Sequence, residues 1–573
     1  MSLQENTENF KEVNESELGK REGRPLFYGV NVVDNRLAVT DSLPYGIFRG
    51  GANVTAHRVQ ASSATVSGCQ FQLNVPTLST VVDRHVLIEI PMTFSISGIA
   101  ANTTQLLGTK GTNIALAPFP FHQCCSSAVV TINNASINVN MQDCLAMLMH
   151  MIPKDTLEQV SSICASRQDY LLNYNSVAVT SPLNVLSDAL TWSTNGIPPR
   201  GLYNVTLTPD IAGNGNGTDS RTVTVSALLV EPLLLSPFLL GHKSQNEQGI
   251  YGVQTLGFNF NFASSNIGAV RADGVNCPAG FTSSTITNVD QANTYLHFTL
   301  ISPPVGSAFA LPARNIVPYT ENFIQKSSGI NLSGTTVTAT SNTLNLHQIP
   351  DRIAFCIRKK LTVTTPKDTD SFLPITGVNI TFCNTQGILS NQKPFGLWQM
   401  AVEAGSNQTY PEFVGKANVN GVPVSTCGSV GLLQFGKHIN ISESWYAPGS
   451  VGSFAFQMNV TAGDNTGGLT AANYELVIMF MYSGYIISEL SSTSVYVGIL
   501  SKKDVITASE QKPVSMSGGL YGSGWHSMLS GLKKGYNFIK PQMKHVKGMH
   551  DTYKQQRSGS GFTAGRLLNR LEK

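Results

Sequence analysis

"GIYGVQTLGFNFNF" (249–262) is a strand signal that starts a strand series over again. Ahead of it, from about residue 45 to 240, lie "GANVTAHRV" (51–59), "TVSGCQFQLNVP" (65–76), "RHVLIEIPMTFSIS" (84–97), "GLYNVTLTPD" (201–210) and "RTVTVSALLVEPLLL" (221–235), β-branched or aromatic runs with partial alternation. "SAVVTINNASINV" (127–139) adds a hairpin signal with an Asn-Asn turn. After it come "TYLHFTLIS" (294–302), "TTVTATS" (335–341), "RIAFCIRKKLTV" (352–363), "GVNITFCN" (377–384), "LLQFGKHINI" (432–441), "GSFAFQMNVT" (452–461) and "SVYVGIL" (494–500). "YELVIMFMYSGYII" (474–487) contains Glu475 and is too short to span a bilayer as a helix, so it is expected to be a buried strand pair. The two series match in kind and not in residues, and their loops differ widely in length. Even spacing would favour a propeller or an up-and-down barrel, whereas uneven spacing suits Greek-key sandwiches. The fold class expected is all-β, two tandem eight-stranded antiparallel jelly-roll sandwiches, with "SPFLLGHKSQNEQG" (236–249) as the connection. The expected divisions are an N-terminal arm (1–44), a first jelly roll (45–245), a second (246–510) and a C-terminal tail (511–573). The one long helical pattern in the body, 141–174, is expected to break at Pro153 and to belong to the first jelly roll.

A chain of 573 residues is too long for one core. Charged residues make up 13%, about half the usual share, which suits a surface largely covered by neighbours. The net charge of +3 hides an asymmetry: residues 513–573 carry ten Lys and Arg against one Asp and one Glu, and the rest of the chain is mildly acidic. The nine Cys are irregularly spaced with no CxxC, and the polar, acidic N-terminus is no signal peptide. Reduced thiols packed as small apolar groups are therefore expected, and the eleven N-x-S/T sequons are what Asn- and Thr-rich strands produce by chance.

Catalytic motifs are missing. No phosphate-binding glycine loop opens a helix, and neither HExxH nor a G-x-S-x-G elbow occurs. His122, Cys124 and Cys125 in "FHQCCSS" are soft metal ligands by type, but adjacent cysteines chelate one ion poorly and a packed loop is the expectation. "DTDSF" (368–372) pairs two carboxylates and is expected to be a solvated loop. No enzyme activity, metal, cofactor or small-molecule substrate is expected.

Several stretches resemble the major capsid proteins of double-jelly-roll viruses, the group that includes polinton-like viruses, adintoviruses and the adenovirus-hexon lineage. They are "HQIPDRIAFCIRKK" (347–360), "DSFLPITGVNITFCNTQGILSNQKPFGLWQM" (370–400), "APGSVGSFAFQMNV" (447–460) and the junction "VTVSALLVEPLLLSPFLLG" with "GIYGVQTLGFNFNF" (223–262). The resemblance implies a virion protein, synthesised without a secretory signal. Its sandwiches would stand upright, and three copies would form a pseudo-hexagonal capsomer of an icosahedral shell. The partners implied are the chain itself, neighbouring capsomers, and penton or minor capsid proteins. The excursions 98–125, 303–334 and 401–428 become candidate tower or inter-subunit loops. The alternative from another class is a tandem-sandwich carbohydrate-binding or lectin-like protein.

The tail departs from the resemblance, because many members end soon after the last strand. Trp525, Met528, Leu529, Leu532, Tyr536 and Ile539 fall at helical spacing, an apolar stripe expected to dock on the shell or a membrane. Lys533, Lys534 and Lys540 flank it, and Lys544, Lys547, Lys554, Arg557, Arg566 and Arg570 follow, suited to neutralising phosphates of a packaged genome. Three burial surfaces stay open for the helix: the underside of its own capsomer, a minor capsid protein, or a lipid interface.

Overall fold

The stretch 249–262 folds as the strand Thr255–Phe262, in which Leu256, Phe258, Phe260 and Phe262 alternate onto one face and are all buried. It is a central strand, pairing antiparallel with Gly68–Asn74 on one side and with Cys125–Ile132 on the other. Phe258 lies opposite Phe71 and Val130, so one apolar row runs across three strands. The structure is a computed structural model. It describes residues 28–29, 53–100, 114–173, 205–209, 220–238, 249–272, 283–302, 314–497 and 514–515, apart from 162, 265–267, 420, 442–446, 467 and 490. Residues 32–506 form one unit, and 1–31 with 507–573 form another, whose described part is the pairing of Tyr28–Gly29 with Val514–Ser515.

In the larger unit the first sandwich has a seven-stranded and a five-stranded sheet. The seven-stranded sheet runs Val205–Pro209, Ser220–Pro232, Leu87–Ala100, Tyr295–Ser302, Asn53–Gln60, with Ser283–Val289 and Val81–Val82 beside this path. The five-stranded sheet runs Ser63–Thr65, Gly68–Asn74, Thr255–Phe262, Cys125–Ile132, Ala135–Val139. Ile88, Ile90, Met92, Phe94 and Ile96 of the first sheet are buried at alternate positions, the signature of one face turned to a core.

The restart at Gly249 is therefore not a domain boundary. Thr255–Phe262, Ser283–Val289 and Tyr295–Ser302 complete the first sandwich, and the second begins with Arg314–Ser327. The expected division at 245/246 is corrected accordingly, and the connection 236–249 joins the two sheets of one sandwich. Alternation reveals which residues are buried, but a Greek key pairs strands remote in sequence, so a fresh series of strands can complete an old sheet.

Among the described residues the second sandwich has sheets of five and six strands, more than the eight strands expected for each sandwich. One sheet runs Arg314–Ser327, Tyr474–Glu489, Arg352–Lys359, Gly431–Gln434, with Ser492–Val497 beside Tyr474–Glu489. The other runs Ile330–Ser333, Thr336–Thr340, Val451–Gly463, Ile375–Phe382, Thr385–Ile388, with Leu344–Gln348 beside Val451–Gly463. Phe456 and Phe480 meet edge-on between the sheets, 5.2 Å apart.

Residues 474–487 belong to one 16-residue strand, Tyr474–Glu489, and not to a strand pair. Gly484 lets the neighbouring strand come close: a Cβ there would lie 2.1 Å from the Tyr496 carbonyl oxygen. The excursion 303–334 holds the strands Arg314–Ser327 and Ile330–Ser333. The excursion 401–428 holds the end of the helix Pro394–Glu403, the short helix Tyr410–Phe413 and the hairpin Lys416–Val419 with Val422–Ser425.

The Asn-Asn hairpin forms as read, with Asn133 at φ 52°. The helical pattern splits into Met141–Met149 and Lys154–Val160 around Pro153. Its expected reach to 174 is shortened, because no residue from 163 to 173 is helical. Cys69, Cys124, Cys125, Cys144, Cys164, Cys356 and Cys427 are buried thiols, Cys383 is half-buried, and Cys277 lies outside the described residues.

Candidate functional site: the seam between the sandwiches

Two strands of the second sandwich are buried on both faces. Residues 353–358 and 476–482 are all buried, which explains the unbroken apolar runs "IAFCI" and "LVIMFM". Ile353, Phe355 and Ile357 lie beside Phe480, Ile478 and Leu476, on the side that meets Phe456. Ala354, Cys356 and Arg358, beside Met479, Val477 and Glu475, therefore face the opposite way. Arg358 there meets Asp143 on the helix Met141–Met149, which packs on the strands Arg314–Ser327 and Arg352–Lys359.

This seam carries charge as well as apolar surface. Arg358 Nη2 donates to Asp143, and both Nη2 and Nε donate to Glu475 Oε1, at 3.0 and 3.1 Å. Arg358 Nη1 donates to the carbonyls of Gln142 and Asp143, and Lys326 Nζ reaches Asp143 Oδ2 at 3.0 Å. Burial pushes the Asp143 carboxyl up, but Arg358 and Lys326 outweigh it and hold it below the ordinary value. Burial likewise lowers Arg358, and Asp143 with Glu475 more than reverse this.

A second cluster centres on Arg271, 2% exposed. Its Nε donates to Asp169 Oδ2 at 3.1 Å, its Nη2 to Asp370 Oδ1 at 2.8 Å, and its Nη1 to the Gly268 carbonyl. Gln123 Nε2 donates to Asp370, and Asp169 also accepts from the Asp370 amide. Asp370 is thus a cross-link between the sandwiches, which corrects the solvated loop expected at 368–372. Asp368 is ion-paired with Lys359 at 2.8 Å. A third tie is the hairpin turn: Asn133 Nδ2 donates to Thr493 Oγ1, and Asn134 Oδ1 accepts from the Thr493 amide.

His122 is part of the packing. Its Nε2 accepts from the Leu234 amide, so the ring proton sits on Nδ1 and is donated to Glu231 at 2.7 Å. Burial raises the Cys124 and Cys125 thiols well above the ordinary value, so they stay protonated. Among the described residues no group of three or more His, Cys, Asp or Glu is arranged to hold a metal ion. No described helix is long and apolar enough to cross a membrane.

None of the residues singled out in the tail, from Trp525, Met528, Leu529, Leu532, Tyr536 and Ile539 to the basic set from Lys533 to Arg570, is among the described residues. The seam residues were missed by motif search because they form no motif. Their signal is a charge in or at the end of an apolar run: Asp143 in "MQDCLAML", Arg358 closing "IAFCIR", Glu475 in "YELVIMF". A lone charge in such a run needs a partner from elsewhere in the fold.

Comparison with known proteins agrees with this division of the chain. The family profile described as Sputnik virophage major capsid protein 1st domain matches residues 27–299, and that described as major capsid protein V20 C-terminal domain matches 319–484. The putative capsid protein V20 of Sputnik virophage is 26% identical over 506 residues, covering 84% of this chain and 81% of that protein. A chain of the cryo-EM structure of the Sputnik virophage superposes with a TM-score of 0.68 at 22% identity, over 89% of this chain and 99% of that one. The mavirus major capsid protein gives 0.63 at 15% identity, over 87% and 100%. Tandem jelly rolls, matched in order, define a viral major capsid protein of the double-jelly-roll class. The two profile matches make the chain a viral major capsid protein, with a structural and not an enzymatic role, resident in the virion. The carbohydrate-binding alternative has no support among these relatives.

His150 makes the seam pH-sensitive. It caps the helix Met141–Met149, is buried edge-on against Phe372 of the second sandwich, and accepts the Asn407 amide on its carbonyl. Burial lowers its pKa from 6.5 to about 4, so the folded protein holds it neutral where the unfolded chain would protonate it. Its contribution to stability is complete above pH 6.5 and is lost as the pH falls through about 4. The melting temperature is therefore expected to drop between pH 6.5 and 4, and His150→Gln to flatten that drop. An unaltered slope in the variant would assign the dependence elsewhere.

Proposed function

We propose that the chain is the subunit of a homotrimeric capsomer, in which three pairs of upright sandwiches give a pseudo-hexagonal outline and tile an icosahedral shell. The observation that supports this most is the seam. Two sandwiches joined by a common apolar core and two buried ionic clusters act as one wall segment, and the six sandwiches of three such segments present near-equivalent sides to neighbours. Cyclic closure of three copies needs two different complementary surfaces on each copy, and two unlike sandwiches supply them. Sedimentation of the purified full chain is expected to give a particle of three times the chain mass that persists on dilution. A stable monomer at micromolar concentration would refute the trimer.

The tail belongs to the same proposal. Its apolar stripe docks beneath the shell, on the capsomer or on a minor capsid or penton protein, and its basic residues meet the packaged genome. Exposure of the stripe to a membrane during entry is the further step this composition allows. Binding of full-length protein to double-stranded DNA is expected to weaken steeply with salt, and deletion of 513–573 to abolish it. Equal binding by the truncated protein would remove the genome role.

A further inference from the structure

An aromatic cluster on the second sandwich is left partly uncovered by the described residues. Phe395 and Trp398 on the helix Pro394–Glu403 and Tyr410 on the helix Tyr410–Phe413 pack ring against ring, with centroids 5.5–5.8 Å apart. Phe395 is 56% exposed, Tyr410 37%, and Val402, seven residues along the same helix face from Phe395, 42%. Aromatic side chains held together and left in water are the composition of an interface centre rather than of a free surface.

The cluster is held rigidly. Leu397 and Ala401 are buried and pin the helix from beneath. Trp398 Nε1 donates to the Gln408 carbonyl at 2.9 Å, and the Gln408 side chain is fixed in turn by the Gly428 carbonyl and the Val430 amide. A capping box between Thr409 and Glu412 sets the start of the helix that carries Tyr410. Such a surface loses little conformational entropy when it is covered. Its rim is polar, with Glu403 paired to Lys437 at 3.0 Å.

Its place in the fold indicates what covers it. Gly431–Gln434 ends the five-stranded sheet, and Thr385–Ile388 ends the six-stranded sheet beside Ile375–Phe382. The helix Pro394–Glu403 packs on both Gly431–Gln434 and Ile375–Phe382. It therefore closes the flank of the sandwich, where both sheets run out, and not one of the loop-bearing ends. Upright sandwiches in a shell meet their neighbours by their flanks. We propose that Phe395, Trp398, Val402 and Tyr410 form a subunit contact, covered in the assembled capsomer by a second copy of this chain. The inference rests on the capsomer reading above.

The test compares full-length wild type with Phe395→Ser/Tyr410→Ser by sedimentation over a dilution series. The double variant is expected to need on the order of 100-fold higher concentration to assemble, the loss that follows from removing two interface-centre aromatics. Both positions are exposed, but their rings pack on Trp398, so the dissociated variant is expected to stay folded with a melting temperature lowered by only a few degrees. Independently of any variant, hydroxyl-radical footprinting of wild type should find Phe395 and Tyr410 protected in the assembled form and reactive after dissociation. A wild type that assembles, with a variant that assembles equally well or rings that stay reactive, overturns this inference alone. A wild type that never assembles overturns it together with the capsomer reading. A variant that assembles normally but loses binding to a glycan array that wild type binds would make the cluster a sugar platform and overturn the subunit contact.

Discussion

The Arg358 guanidinium is held between two carboxylates, Asp143 on a helix and Glu475 on the neighbouring strand, with both the arginine and its surroundings out of water. Desolvating three charges is expensive, and the geometry offsets that cost only while every partner is in place. Separating the helix from the strand would leave an unpaired charge in an apolar setting. An entirely apolar seam can slide or repack at modest cost; this one has a single register. The Arg271 cluster repeats the arrangement elsewhere along the seam, with Asp169 and Asp370 supplied from chain segments about 200 residues apart.

The surrounding elements are arranged around this constraint. The helix Met141–Met149 lies where it does because one of its faces fills the first core and Asp143 reaches the second. The hairpin turn at Asn133 uses its side-chain Nδ2 twice, to hold Gly252 and to meet Thr493, while its Oδ1 accepts from the Gln254 and Thr255 amides. Buried thiols such as Cys144 and Cys356 sit beside the ion pair as small apolar filler, and burial raises both to about 12. The result suits a wall segment: the pair of sandwiches moves as a unit, and variation is confined to loops and flanks.

Much of the fold was legible. Strand content, the Asn-Asn hairpin, the break at Pro153 and burial of the cysteines follow from local rules, because alternation, turn chemistry and proline geometry act over a few residues. The boundary between the sandwiches was not, since Thr255–Phe262 looks the same whether it opens a new sheet or fills the middle of an old one. The strand Arg314–Ser327 was read as part of a loop because Pro318 and the polar run Thr320–Asn322 disguise it; pairing with Tyr474–Glu489 holds it extended. The seam was only half legible: the charges stand out in their apolar runs, but nothing in the sequence says that Arg358 meets Asp143 across 215 residues.

The central claim is that the two sandwiches are one mechanical and thermodynamic unit because their seam buries charge that neither can carry alone. Scanning calorimetry of the full-length protein at neutral pH, held in a dissociated state, tests it most directly. A single cooperative transition whose van't Hoff and calorimetric enthalpies agree is the predicted result. Two resolved transitions, one for each sandwich, would contradict it.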